Sequence, residues 1–201
     1  MTDETEVKAE TYPLAGNRFT RAIGAVIGHT IYFLMRWKIV GNLPSKAKAI
    51  IVGGPHTSNW DLFLAMGAML QKGLRFSWMM KSEAFKGPLG ALWKSLGGIP
   101  IDRKDAKSVP EQMAAWFASV ETGYLGITPE GTRKAVERYR SGFLRIAYAS
   151  KVPVFVVGID ARTRTVHLDK LWPLTGDLET DITAIRDYIR ANYSGIRPEN
   201  N

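Results

Sequence analysis

The run KAIIVGGPHTSNWDLFLAM, residues 48–66, decides the fold. It opens on the apolar stretch Ala49-Ile50-Ile51-Val52 and closes that stretch with two glycines, as a buried strand running into a loop does. Residues 61–73, DLFLAMGAMLQKG, then read as a helix that stops at Gly73. The same alternation repeats on both sides. Strand-like segments lie at 75–81, 99–103, 124–128, 152–160 and 165–172. Helical segments lie at 84–98, 109–123, 142–151 and 179–195. In the second of these, Met113, Trp116, Phe117 and Val120 share one face. Strands that alternate with helices define an α/β fold, and such sheets build their sites in loops just after strands.

The chain has 201 residues, enough for one domain with a sizeable core. Residues 1–16 read as an acidic, apolar-poor tail without the features of a secretory signal, and residues 17–201 as the folded domain. There is no cysteine, which excludes disulfides, iron–sulfur clusters and thiol catalysis. Three scattered histidines make a His-rich metal site a poor fit. The net charge of +8 points to an anionic partner: nucleic acid, an anionic membrane or a phosphorylated substrate. No nucleic-acid motif is present and the positive charge is spread out. Residues 22–35 are mostly apolar and flanked by Arg18, Arg21, Arg36 and Lys38. A bilayer span needs about 20 apolar residues, so this shorter run fits an amphiphilic helix, about 18–38, lying in a membrane interface. A helix packed on the core and a true span are the alternatives.

His56 and Asp61 stand five positions apart, about 140° out of register on a continuous helix. A break before the helix lets them meet. Ser58-Asn59-Trp60-Asp61 fits an S-x-x-D capping pattern, with Ser58 as N-cap and Asp61 three residues on. Two readings stand. Either the stretch only caps a helix, or Asp61 orients one imidazole nitrogen and leaves the other as a general base.

Two further stretches carry arginines after strands. Residues 97–103, GGIPIDR, end on Arg103, either a surface residue or a bidentate phosphate ligand. Residues 127–134, ITPEGTRK, place Arg133 and Lys134 beside Glu130 and Thr132, with Gly131 allowing a turn or a close backbone approach. Residues 151–160, KVPVFVVGID, form a core strand whose Pro153 marks a strand beginning or an edge.

Taken in this order, the four stretches resemble the glycerolipid acyltransferase family, the lysophosphatidic acid acyltransferase-like proteins. The family's H-x4-D motif corresponds to His56 and Asp61, its G-x-I-x-I-x-R motif to residues 97–103 with Gly98 and Arg103, its P-E-G-T-R motif to Pro129, Glu130, Gly131, Thr132 and Arg133, and its V-P-[VI] motif to Val152, Pro153 and Val154. The resemblance spans residues 49–160. Pro55, Thr128 and Lys134 stand where Asn, Phe and Ser are common in the family, as in a small divergent bacterial branch.

The resemblance implies a single α/β domain with a mixed, mainly parallel sheet flanked by helices. It implies transfer of an acyl group from acyl-CoA or acyl carrier protein to a lyso-lipid hydroxyl, with 1-acyl-glycerol 3-phosphate as acceptor and phosphatidic acid as product. No resident cofactor or metal is expected. His56 would be the base and Asp61 its orienting acid. Arg103 and Arg133 would hold the acceptor's phosphate, Glu130, Gly131 and Thr132 would shape that pocket, and the Gly97–Gly98 turn would offer an oxyanion donor. With no cysteine, and Ser58 outside a nucleophile elbow, direct attack fits better than an acyl-enzyme. The expected setting is the cytoplasmic face of the membrane, peripheral or monotopic, on anionic lipid. Residues 76–80 and 89–93 are candidates for an acyl channel or for plain core. Alternatives are another acceptor, such as an amino-acid-containing lyso-lipid, or an inactive lipid-binding membrane protein.

Overall fold

The computed structural model describes residues 18–44, 46–73, 76–87, 89–102 and 108–200. The expected tail at 1–16 and the expected phosphate ligand Arg103 lie outside the described residues. Seven strands form one sheet: β1 (Lys38–Gly41), β2 (Lys48–Gly54), β3 (Phe76–Lys81), β4 (Gly98–Ile101), β5 (Gly123–Ile127), β6 (Val154–Asp160) and β7 (Thr165–Trp172). Among the described residues six α-helices accompany them: α1 (Arg18–Met35), α2 (Trp60–Lys72), α3 (Leu89–Leu96), α4 (Val109–Ser119), α5 (Gly142–Ser150) and α6 (Leu178–Asn192).

The strand order is β1-β7-β6-β2-β5-β3-β4. Every pairing is parallel except β6 with β7. The exception has a local cause. Only a short turn joins β6 to β7, and parallel strands need a longer crossover. Asp160 holds that turn, accepting from Arg162 Nε and Thr163 Oγ1 at 2.8 Å each.

Strand β2 runs between β5 and β6, with its side chains alternating between two covered faces. Ile50 and Val52 join a core with Met113 and Phe117 of α4, Phe143 of α5 and Ile185 of α6. On the other face, Tyr32 of α1 and Leu64 of α2 pack with Ile159 and Val166. Burial on both faces explains the near-continuous apolar runs of β2 and β6. Pro153 precedes β6, and its carbonyl accepts from Ile50 N at 2.9 Å, so this proline marks the beginning of an interior strand and not an edge.

Helices α1 and α2 approach closely because small residues meet. A Cβ on Gly28 would lie 2.5 Å from Gln71 N, and one on Gly67 would lie 2.9 Å from the Tyr32 ring. The Tyr32 hydroxyl donates to Leu64 O at 2.9 Å. The apolar residues of 22–35 therefore divide. Gly24, Gly28 and Tyr32 are buried, while Val26, Phe33 and Leu34 are exposed. No helix among the described residues is long and apolar enough to cross a membrane.

The structure corrects two boundaries. The first helix stops at Met35 and not near residue 38, and Lys38–Gly41 form β1. This four-residue strand is too short to announce itself and exists by pairing with β7. Helix α2 starts at Trp60, with Asn59 and not Ser58 in the cap position. Gly28→Ala tests the helix contact. Helix propensity favours alanine by up to about 1 kcal/mol. Overpacking against backbone atoms costs about 1–3 kcal/mol. The variant's melting temperature is expected to fall, and a rise would show that α1 does not rest on α2 at this point.

Candidate active site

Strand β2 ends at Gly54, and the loop 55–59 crosses the end of the sheet to α2. Asp61, in the first turn of α2, is 4 % exposed. One of its oxygens, Oδ2, accepts three hydrogen bonds of 2.9 Å, from His56 Nδ1, Thr57 N and Ser58 N. An ionised carboxylate only accepts, which assigns the ring proton to Nδ1. Nε2 has no hydrogen-bond partner among the described residues and is left to take a proton from another group. The bond from Ser58 N is the return half of the expected capping box. The forward half differs: Ser58 Oγ accepts from Trp60 N at 3.3 Å, one residue earlier than a box requires. Capping and pairing are thus one arrangement and not alternatives.

A second carboxyl grips the loop from behind. Glu130, in the turn after β5, is 8 % exposed. Its Oε2 accepts from His56 N at 2.9 Å, and its Oε1 lies 3.4 Å from the Tyr139 hydroxyl that donates to it. Burial pushes the Glu130 carboxyl up to about 7, against the opposing pull of the His56 N–H. Gly131 follows at φ +64°, where a Cβ would also lie 2.6 Å from Arg140 Nε. The positive φ favours glycine here, while the Arg140 side chain could shift aside. Arg133 Nη1 donates to Asn59 Oδ1, tying this turn to the start of α2. Thr132 Oγ1 accepts from Lys134 N at 3.4 Å.

Gly98 is not part of this cluster. It begins β4 beyond β5 and β3, and a Cβ there would meet Trp93 O, Met80 Sδ and the Phe85 ring. The Gly97 N–H donates to Lys94 O at 3.1 Å, so the turn's first donor is already engaged. Among the described residues no group of three His, Cys, Asp or Glu converges as a metal site.

Two cavities flank the loop. One, of about 520 Å³, lies on the α2 side and is lined by His56, Asp61, Ile51, Gly53, Phe63 and Trp78 among others. Its wall is largely aliphatic and aromatic. A Cβ on Gly53 would meet nothing within 4 Å, so this glycine leaves the cavity open. Trp78, from the 76–80 stretch, reaches it, whereas residues 89–93 do not line it. The other cavity, of about 320 Å³, lies on the α6 side, between Pro55, Glu130, Lys134, Tyr139, Arg190 and Asn200.

The sequence held no local signal for one support of this loop. Arg197 N donates to Thr57 Oγ1 at 3.1 Å, and Asn200 Nδ2 donates to Thr57 O at 3.4 Å. Thr57 reads in sequence as a mere spacer between His56 and Asp61.

The model of the acyltransferase family matches residues 36–160, well over half of the chain, and the chain belongs to that family. Among solved structures its fold is similar to the crystal structure of the 1-acyl-sn-glycerophosphate (LPA) acyltransferase PlsC from Thermotoga maritima. That match has a TM-score of 0.58 at 15% identity and covers 89% of this chain and 83% of that one. No curated protein matches the sequence significantly.

The Glu130 carboxyl makes a pH prediction. Its pKa is raised in the folded state, from 4.5 to about 7, so the folded protein holds this proton more tightly than the unfolded chain. Stability from this group is present below about 4.5 and is lost as pH rises through about 7. Glu130→Gln keeps an acceptor and removes the titration. Its stability relative to the parent is expected to rise between pH 5 and pH 8, by on the order of 2–3 kcal/mol. Urea unfolding at both pH values measures this, and an unchanged difference would place the Glu130 pKa near its ordinary value.

Proposed function

We propose that this acyltransferase moves a fatty acyl group from acyl-CoA or acyl carrier protein to the hydroxyl of a lyso-phospholipid. The acceptor is 1-acyl-glycerol 3-phosphate, giving phosphatidic acid. One observation carries the reading: a carboxylate-oriented histidine with a free Nε2 stands at the wall of an apolar cavity large enough for an alkyl chain. The acceptor hydroxyl gives its proton to His56 Nε2 as its oxygen bonds to the thioester carbonyl carbon. The carbon–sulfur bond then breaks, and the thiolate leaves with the proton held by the imidazolium. Asp61 holds the ring and offsets its transient charge. Arg133, beside Asn59 at the cavity, is the cation for the acceptor's phosphate. Arg103 is assigned the same role from the sequence resemblance alone. Glu130 positions the loop that carries the base.

The place where the cavity meets the surface supports a membrane setting. Leu62 and Phe63 line it and are also exposed. Helices α1 and α2 run antiparallel, since Gly28 meets Gln71 while Tyr32 meets Leu64. Exposed Phe33 and Leu34 therefore lie toward the same end as exposed Trp60 and Phe63. This apolar face suits the interface of an anionic bilayer, with the +8 net charge adding attraction. The proposed location is the cytoplasmic face of the membrane, with the protein bound peripherally.

The test is an assay of the full chain with labelled acyl-CoA and a panel of lyso-lipids, with products identified by mass spectrometry. His56→Ala is expected to lower kcat by about 10²–10⁴-fold. It should float with anionic vesicles as the parent does. Full activity in this variant would refute the general-base mechanism, and a parent that does not float would refute the membrane setting.

Gly53 offers a second handle. Gly53→Leu places a side chain in the cavity and is expected to shift the preferred acyl chain to a shorter one. Competition between donors of different chain lengths reads this, and an unchanged preference would mean the chain lies elsewhere.

A further inference from the structure

Arg133 and Lys134 are neighbours in sequence, yet they serve opposite sides of the His56 loop. Arg133 reaches Asn59, which lines the apolar cavity beside His56. Lys134 lines the cavity of about 320 Å³ on the α6 side. Between the two stands the Glu130 carboxyl, bonded to His56 N. The second cavity is not needed to hold an alkyl chain, and nothing in the mechanism above occupies it.

Its wall is cationic. Lys134 and Arg190 both line it, and the Arg140 guanidinium lies over the adjoining Gly131. None of the three is paired with a carboxylate among the described residues, whereas nearby Arg138 and Arg186 are neutralised by Glu179 and Asp187. Arg190 is held in place, its Nη2 donating to Val136 O. Glu130 is the one acidic side chain in the wall among the described residues, and burial favours its neutral form. Tyr139 and Asn200 add polar groups. Unpaired Lys and Arg in a concave site suit phosphate oxygens. The volume lies in the range of small-molecule pockets, about 300–1,000 Å³, and a concave site of this kind does not fit the convex helix of a carrier protein.

We propose that this second cavity, at Lys134 and Arg190, seats the phosphates of the acyl donor's nucleotide, the phosphorylated ADP portion of acyl-CoA. Donor and acceptor phosphates are then received on opposite faces of the loop that bears His56, and their like charges stay apart. Pro55 lines the cavity next to His56, and the pantetheine arm passes over it to bring the thioester to Nε2. The assignment rests on the acyl-transfer reading, and it makes coenzyme A the donor's carrier.

Calorimetric titration of the full chain tests it without turnover, using coenzyme A, pantetheine and holo-acyl carrier protein as probes. Coenzyme A is expected to bind, and pantetheine, which lacks the phosphates, at least about tenfold more weakly. Lys134→Glu changes an exposed side chain, so folding is spared. It should weaken coenzyme A binding by about tenfold or more and raise KM for acyl-CoA without a matching loss of kcat. Arg190→Gln should weaken binding in the same direction. Equal coenzyme A affinity in parent and Lys134→Glu overturns the proposal, as does binding of the carrier protein alone. If coenzyme A binds through Lys134 while no lyso-lipid is acylated, the nucleotide site stands and the choice of acceptor falls. If acylation proceeds with an affinity indifferent to Lys134, the acyl-transfer reading stands and the nucleotide site falls.

Discussion

A single carboxylate oxygen organises the loop that bears His56. Asp61 Oδ2 accepts from the His56 ring and from two consecutive backbone N–H groups, Thr57 and Ser58. A buried charge is costly unless it is hydrogen-bonded, and here three donors at 2.9 Å satisfy one oxygen. The position in the first turn of α2 adds the favourable end of the helix dipole. The same bonds that make the carboxylate tolerable set the loop's path and the tautomer of the histidine. The five-residue spacing follows from this geometry. His56 must precede the two N–H groups, and Asp61 must follow them from inside the helix.

That loop is held from three directions. Asp61 holds it from α2, Glu130 from the turn after β5, and Arg197 with Asn200 from the end of the chain. Each support comes from a different part of the sequence. The sheet makes this possible, since β2 lies between β5 and β6 and its C-terminal end is where their following turns converge. The period of two along β2 then gives each face its own cavity. Gly53 opens toward α2, and a Cβ on the next residue, Gly54, would face Ile189 and Glu130. The loop that bears His56 lies between a largely apolar cavity and one lined by Lys134 and Arg190.

Much of the architecture was readable from local pattern. The apolar runs of β2 and β6, and the helical periodicity of α4 with Met113 and Phe117 inward, are properties of neighbouring residues. What escaped was structure made by distant partners. Strand β1 has four residues and exists because β7 lies beside it. Residues 22–35 could be read as membrane-facing or as core, and the helix is partly both: Gly28 and Tyr32 pack on α2 while Phe33 and Leu34 face outward. Gly98 carried the spacing of a site residue, yet two strands separate it from β2.

By itself, the sequence determined the kind and order of most of the elements, β1 excepted, and it singled out His56 and Asp61 as a pair that a helix start brings within reach. These depend on side-chain period and short spacing, which act within a few residues. Only the tertiary structure decided that one Asp61 oxygen takes three donors, that Glu130 turns inward to His56 from 74 residues away, and that Arg133 bonds to Asn59 while Lys134 lines the cavity on the α6 side. Those outcomes depend on which strands lie side by side and on which face of the sheet each loop emerges. Sheet order is a balance of packing over the whole chain, and no short stretch contains it.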